Sequence, residues 1–340
     1  MGRGATVIVA GAGALGLSTA LALADAGCAV TVFDPAPEGA NASGVAAGML
    51  APVFETVLDA EGSGDLPLLL AARNLWPGLA GRAGVELDRS GAVAVGSDGW
   101  LAQIRAGLAR AGLHGADVGR AVLVELAPGL ASEYADGVMS REDWRLEPSA
   151  ALTALRRAAI SAGVSFRGEA ARQRGDADWL VAATGPATDL APELGSLTPI
   201  KGHILRAQLA DVGHVSLRGE RGYAVPTSGG LAIGATMEPG RADPAVDPSH
   251  AQPLLAAGST LFPALADAPF TLAAGVRAAT PDGLPMVGAS SEPGVLVAAG
   301  ARRNGWLLAP LVAQIIVACV TGRDPGPYAA RLDPRRFEPQ

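Results

Sequence analysis

Lysine is almost missing from this chain: Lys201 is the only one among 340 residues, and arginine carries the rest of the positive charge. The net charge is -7, which argues against a nucleic-acid surface, because phosphate binding draws on clustered Lys and Arg. An isolated arginine carries little information against so skewed a usage. Cysteine is equally scarce. Cys28 and Cys319 lie far apart and match neither a disulfide framework nor a metal-ligand spacing, so a reducing, cytoplasmic compartment is expected and both read as buried small hydrophobes. The four histidines, His114, His203, His214 and His250, are scattered without a metal-binding spacing, and no metal is expected. No membrane span is expected either. The longest late apolar run, Trp306 to Val320, is short for a span and contains Pro310 and Gln314, so it reads as a buried helix.

Two N-terminal patterns invite other readings. Arg3 followed by an Ala-rich apolar run resembles a secretory signal, but the run contains regularly spaced glycines and Asp25. Met1-Gly2 with Thr6 satisfies a loose myristoylation pattern, yet Thr6 opens what reads as a buried strand.

What the chain does have is a core-forming composition, 49% hydrophobic, and a fingerprint in its first fifty residues. A β-rich run, Thr6 to Val9, leads into Gly11-Ala-Gly13-Ala14-Leu-Gly16, an amphipathic segment follows, and a second apolar run ends on Asp34. In this pattern the first glycine permits the tight turn, the second admits a pyrophosphate to the backbone, and the third lets helix pack on strand. The helix N-terminus receives the phosphates, and Asp34 accepts hydrogen bonds from a ribose. This predicts a dinucleotide site and leaves FAD and NAD open.

Farther along, a small-residue loop, Gly39 to Pro52, is suited to close backbone approach to a ligand. Helices are expected from Pro67 to Ala83, kinked or divided at Pro77, and over Trp100 to Gly112 and Pro148 to Gly163. Strands are expected at Gly91 to Val95, Trp179 to Thr184 (ending on Gly185), His203 to Leu209, Gly222 to Pro226, Gly230 to Met237 and Gly294 to Gly300. The expected fold is α/β: a Rossmann-like nucleotide-binding domain with a parallel sheet, and a substrate domain with a mixed or antiparallel sheet. The nucleotide domain is discontinuous, residues 1-85, 145-195 and 273-340, with 86-144 and 196-272 forming the substrate domain.

Several motifs together resemble the D-amino-acid oxidase family of FAD-dependent amine oxidases, in particular its glycine oxidase branch associated with thiamine thiazole formation. They are GAGALG with Asp34, Ala42 to Pro52, Pro199 to His203, Tyr223 to Pro226, Gly234 to Met237, Gly275 to Gly288 and Arg302 to Pro310, in order over nearly the whole chain. The resemblance implies FAD as cofactor. It places Gly13 and Ala14 at the pyrophosphate and Asp34 at the ribose, and lines the flavin with Ser43, Ala46, Ala47, Gly48 and Met49; Gly185, at the end of a strand expected to return close to the first, is expected at the cofactor as well. The backbone of Ala301, Arg302, Arg303, Asn304, Gly305, Trp306 and Leu307 would close over it.

The same resemblance assigns Arg277 to the substrate carboxylate and Tyr223, Met237 and Arg303 to the rest of an amino-acid pocket. A guanidinium fork fixes a carboxylate in orientation as well as charge, and orientation is what hydride transfer to a flavin requires. The bland alternatives are an ion pair for Arg277 and Arg303, a half-buried strand residue for Tyr223 and a core filler for Met237. Arg302 reads as a solvated neighbour of Arg303, and Lys201 as a structural turn residue. Pocket volume is expected to depend on the loop near Phe54 and Glu55. The implied activity is oxidation of glycine or another small amino acid, with dioxygen as acceptor and peroxide released; a dehydrogenase passing electrons to a quinone or carrier is the alternative. A homo-oligomer is left open.

Overall fold

The computed structural model describes residues 4–59 and 65–337. Arg3 and the Met1-Gly2 pattern lie outside them. Strand β1 (Thr6–Ala10) runs into helix α1 (Ala14–Asp25) and on to β2 (Ala29–Phe33), which pairs parallel to β1 from Thr6 opposite Ala29 to Ala10 opposite Phe33. On its other side β1 pairs parallel with Trp179–Ala182, which pairs parallel with Val295–Ala299. Ser165–Arg167 adds parallel to β2, and Met286–Ala289 closes the opposite edge as the antiparallel member. The strands Trp179–Ala182 and Val295–Ala299 read as continuous apolar runs because both faces are covered, one by the helices and the other by Leu190, Leu194 and Leu197 around a 3-10 turn.

The late apolar segment is the helix Gly305–Thr321, buried along most of its length and packed on α1 and on Leu66–Ala83. The Leu66–Ala83 helix continues through Pro77, so the proline does not divide it. Trp76 Nε1 donates to the Trp306 carbonyl at 2.9 Å, tying the two helices together. Among the described residues no helix is long and apolar enough to cross a membrane.

The second sheet has nine strands among the described residues and is antiparallel except where Ser216–Gly219 meets Ala92–Ala94. Its spine is Thr198–Gln208, which pairs with Phe270–Ala279, with Gly230–Gly234 and with the short Glu238–Pro239. Gly222–Thr227 continues the sheet beyond Gly230–Gly234. The pairing with Phe270–Ala279 runs in unbroken register from Thr198 opposite Ala279 to Ala207 opposite Phe270. Residue 273, where a division was expected, falls inside this strand. The loop Gly39–Pro52 joins the two sheets and contains a helical turn, α2 (Ala42–Val45), and a two-residue strand, Met49–Leu50. Helix α3 (Pro52–Leu58) follows directly.

Candidate functional site

The glycine-rich turn opens on a groove of about 760 Å³. Gly11, at φ +109°, adopts a conformation open to glycine, and a Cβ there would sit 2.3 Å from the Ala183 carbonyl oxygen. A Cβ on Gly16 would sit 2.0 Å from the Gly11 carbonyl oxygen, so only glycine lets α1 lie this close to the turn. Gly13 precedes α1, no acidic residue occupies its first turn, and the positive end of the helix dipole faces the groove. Asp34 accepts from the amides of Ala12 (2.6 Å) and Ala36 (2.8 Å), so it braces the turn as well as lining the groove. Its oxygens keep further lone pairs for a ribose.

Ser43 joins the small-residue loop to this turn: its Oγ accepts from Ala14 N at 2.9 Å, and its carbonyl accepts from Trp306 Nε1 at 3.0 Å. Arg206 donates to the carbonyls of Gly44, Val45 and Ala46, which satisfies the end of α2 and fixes the loop's course. Gly185, Ala301, Arg302 and Gly305 also line the groove. A backbone cradle with a helix N-terminus and an acid at the second strand fits the pyrophosphate and ribose of FAD.

Next to the groove lies a smaller cavity of about 240 Å³. Ala46, Ala47, Gly48 and Met49 form one wall, Tyr223 and Met237 another, and Arg303, Asn304 and Trp306 a third. Leu307 lies instead in the core, packed with the helices. Arg277 projects into the cavity from Phe270–Ala279, across from Gly202, where a Cβ would sit 2.3 Å from its Nη1. Its polar contacts are long: Nη1 reaches the Thr236 carbonyl at 3.4 Å and Met237 Sδ at 3.5 Å. Among the described residues no carboxylate pairs with it. Burial lowers the guanidinium's pKa from its ordinary value, and burial raises that of the Tyr223 phenol, which therefore stays protonated and able to donate.

Arg303 does have partners. Its Nε lies 3.1 Å from Glu55 Oε2 and its Nη2 3.5 Å from Asp59 Oδ1. Glu55 also pairs with Arg218 (2.9 Å), and both side chains are buried. Glu55 lines the cavity from α3, whereas Phe54 points into a separate apolar cluster. Arg218 had no signal in the sequence. It sits in a short strand among many other arginines, and its guanidinium reaches the cavity only through sheet pairing, 5.7 Å from the Tyr223 ring. Asp143 was equally silent: it is buried and accepts from the amides of Val53 and Phe54 at the start of α3, the helix that carries Glu55.

Four expectations are corrected. Arg302 is no solvated neighbour, since its side chain is 8% exposed and pairs with Asp59 at 3.3 Å. Lys201 is no turn residue: it lies inside Thr198–Gln208, 1% exposed, with Nζ 2.5 Å from Asp243 Oδ1. Nor are the histidines all scattered. The rings of His203 and His250 stack at 4.4 Å, and both contact Glu238 Oε1. Cys28 and Cys319, read as buried, are half-buried free thiols packed against the core edge.

Comparison with known proteins agrees with this arrangement. The family model described as "FAD dependent oxidoreductase" (DAO) matches residues 6–319. The chain is 30% identical over 370 residues to the bifunctional protein ThiO/ThiG of Trichormus variabilis, covering 98% of this chain and 55% of that one. It thus spans about half the length of those bifunctional relatives. It is also 30% identical to a glycine oxidase of Geobacillus kaustophilus, covering 94% of this chain and 93% of that one. The crystal structure of glycine oxidase from Geobacillus kaustophilus superposes with a TM-score of 0.84 at 26% identity over the full length of both chains. A two-sheet fold with a dinucleotide groove beside an arginine-bearing cavity defines a flavin-dependent oxidoreductase. The chain belongs to the DAO family, whose cofactor is FAD.

Proposed function

We propose that this protein oxidises glycine or another small amino acid to its imine, with dioxygen as acceptor and hydrogen peroxide released. The imine then hydrolyses to the 2-oxo acid or serves thiamine thiazole formation, a role supported by relatives named ThiO/ThiG and "Putative thiamine biosynthesis oxidoreductase ThiO". FAD, when bound, supplies the chemistry by accepting an electron pair from the substrate. The chain's residues then have to bind and orient. In this reading Gly11, Gly13, Ala14, Gly16, Asp34, Ser43 and Gly185 hold the dinucleotide, and residues 1-85, 145-195 and 273-340 form its domain, with 86-144 and 196-272 serving the substrate.

The observation that carries the reading is Arg277, a half-buried guanidinium with no carboxylate partner among the described residues, facing the cavity. A partly desolvated cation of this kind favours an anion, and a substrate carboxylate supplies it through two parallel hydrogen bonds. Tyr223 donates to the same carboxylate, and Met237 gives an adaptable apolar wall. Arg218 and Arg303 each already contact a carboxylate, Glu55 or Asp59, whereas Arg277 contacts none among the described residues, which makes Arg277 the anion-binding group of this reading. Peroxide release from the purified yellow protein across glycine, sarcosine, D-alanine and D-proline tests this. At least one should give peroxide. A flavin that stays oxidised when each is added without oxygen would overturn the proposal, and one that bleaches but is reoxidised only slowly by dioxygen would mark a dehydrogenase.

A further inference from the structure

Alternation along Thr198–Gln208 sends Gly202 toward the Arg277 cavity and turns Lys201 and His203 the other way, onto the segment between Glu238 and His250. There, three separate contacts fasten that segment. Lys201 Nζ donates to Asp243 Oδ1 at 2.5 Å, His203 Nε2 accepts from the Asp247 amide at 2.9 Å, and His203 Nδ1 lies 3.1 Å from Glu238 Oε1. His250 adds a second contact to Glu238 at 3.3 Å. Between these fastenings, Ala242 and Pro244 line the dinucleotide groove, in the same hollow as the glycine-rich turn. They are its only lining residues from this segment.

A lysine that is 1% exposed in a strand interior is costly to bury, and its cost is offset only while a carboxylate stays on it. Asp243, flanked by Lys201 and then Arg241, has its carboxyl held down at about 2, so it is ionised at any ordinary pH. The contact therefore holds the groove-lining stretch in place from the strand side, with no side chain of its own in the groove.

We propose that Lys201 is a positioning residue for the cofactor: by clamping Asp243 it sets Ala242 and Pro244 as a wall of the FAD groove, and FAD binding and the clamp stabilise one another. The proposal rests on the groove reading above. Because the coupling is reciprocal, loss of the clamp weakens FAD, and loss of FAD loosens the clamp.

The experiment titrates FAD into apoprotein, following flavin fluorescence, for the wild type, Lys201→Met, Asp243→Asn and Gly13→Val. It also follows acylation at Lys201 in apo- and FAD-loaded wild type by peptide mass mapping, Lys201 being the only lysine in the sequence. Lys201→Met and Asp243→Asn should each weaken FAD by about tenfold or more, and FAD should slow acylation of Lys201 by a similar factor. Asp243 is half-exposed on the segment itself, so Asp243→Asn carries the test if Lys201→Met does not fold. A purely structural role would lower the melting temperature of the apoprotein while leaving FAD affinity and the acylation ratio unchanged. That result overturns the clamp. If Gly13→Val binds FAD as tightly as wild type, the groove reading itself falls.

Discussion

The groove and the cavity lie side by side but are built from different materials. The groove is lined mostly by backbone and small residues, and its phosphate and ribose end comes from one βαβ unit and the loop after it: the turn from Gly11, the acid Asp34 and the loop from Ala42 to Val45. The cavity also has small residues in its walls, but its polar groups are long side chains from distant strands and helices: Glu55 from α3, Arg218, Tyr223, Arg277 and Arg303. The cradle has little tolerance at Gly11 and Gly16, where a Cβ would run into a neighbouring carbonyl. A side-chain cavity can be retuned one charge at a time. The general ligand is held by the rigid half, and discrimination is left to the adjustable one.

The largest effect should come from filling the cradle. Gly16→Val places atoms within about 2 Å of the Gly11 carbonyl, a clash worth more than about 4 kcal/mol. The variant should purify without flavin or fail to fold, as read from visible absorbance and circular dichroism. Arg277→Ala comes next. It should keep FAD yet raise KM for the preferred amino acid by roughly a hundredfold, about 2.7 kcal/mol of lost binding, in steady-state assays.

Glu55→Gln tests the cavity's internal balance. It leaves Arg218 and Arg303 without their shared carboxylate, which should cost about 2–4 kcal/mol in denaturant unfolding while FAD affinity is unchanged. A smaller effect concerns pH. Burial pushes the Asp143 carboxyl up to about 7 despite the amides of Phe54 and Val53. The folded state thus holds a proton that the unfolded chain, with a carboxyl near its ordinary value, releases. This group's contribution is fully present below pH about 4 and is lost as pH rises toward about 7. Asp143→Asn should flatten that decline, measured as unfolding free energy across the range. Smallest of all, Arg82→Ala removes an exposed pair with Asp25, 43% and 38% exposed, and should change stability by under about 1 kcal/mol.

The same contrast governs what could be read from the sequence. The groove was legible because its requirements are local: glycine spacing, a preceding strand and an acid at the next strand's end all fall within one βαβ unit. The parallel strands and the late buried helix were legible for the same reason, as continuous apolar runs. Arg277, Tyr223, Met237 and Arg303 were reached only through family motifs, since nothing local distinguishes them from other residues of their kind. Arg218, Asp59 and Asp143 were not reached at all. Their roles depend on pairings between elements far apart in the chain, as with Val53 and Phe54 on Asp143. Lys201 shows the converse failure: a lone charge flanked by Pro199 and Gly202 suggests a turn, but Asp243 offsets its burial and lets the strand continue.

The central claim is that Arg277, which lines both the cavity and the groove beside it, binds a carboxylate. The most direct test titrates FAD-loaded wild type and Arg277→Ala with glycolate, a carboxylate without an amine, while following the visible flavin spectrum. The account predicts a saturable perturbation in wild type that disappears in Arg277→Ala, with FAD retained by both. An equal, saturable response in the two proteins would contradict it.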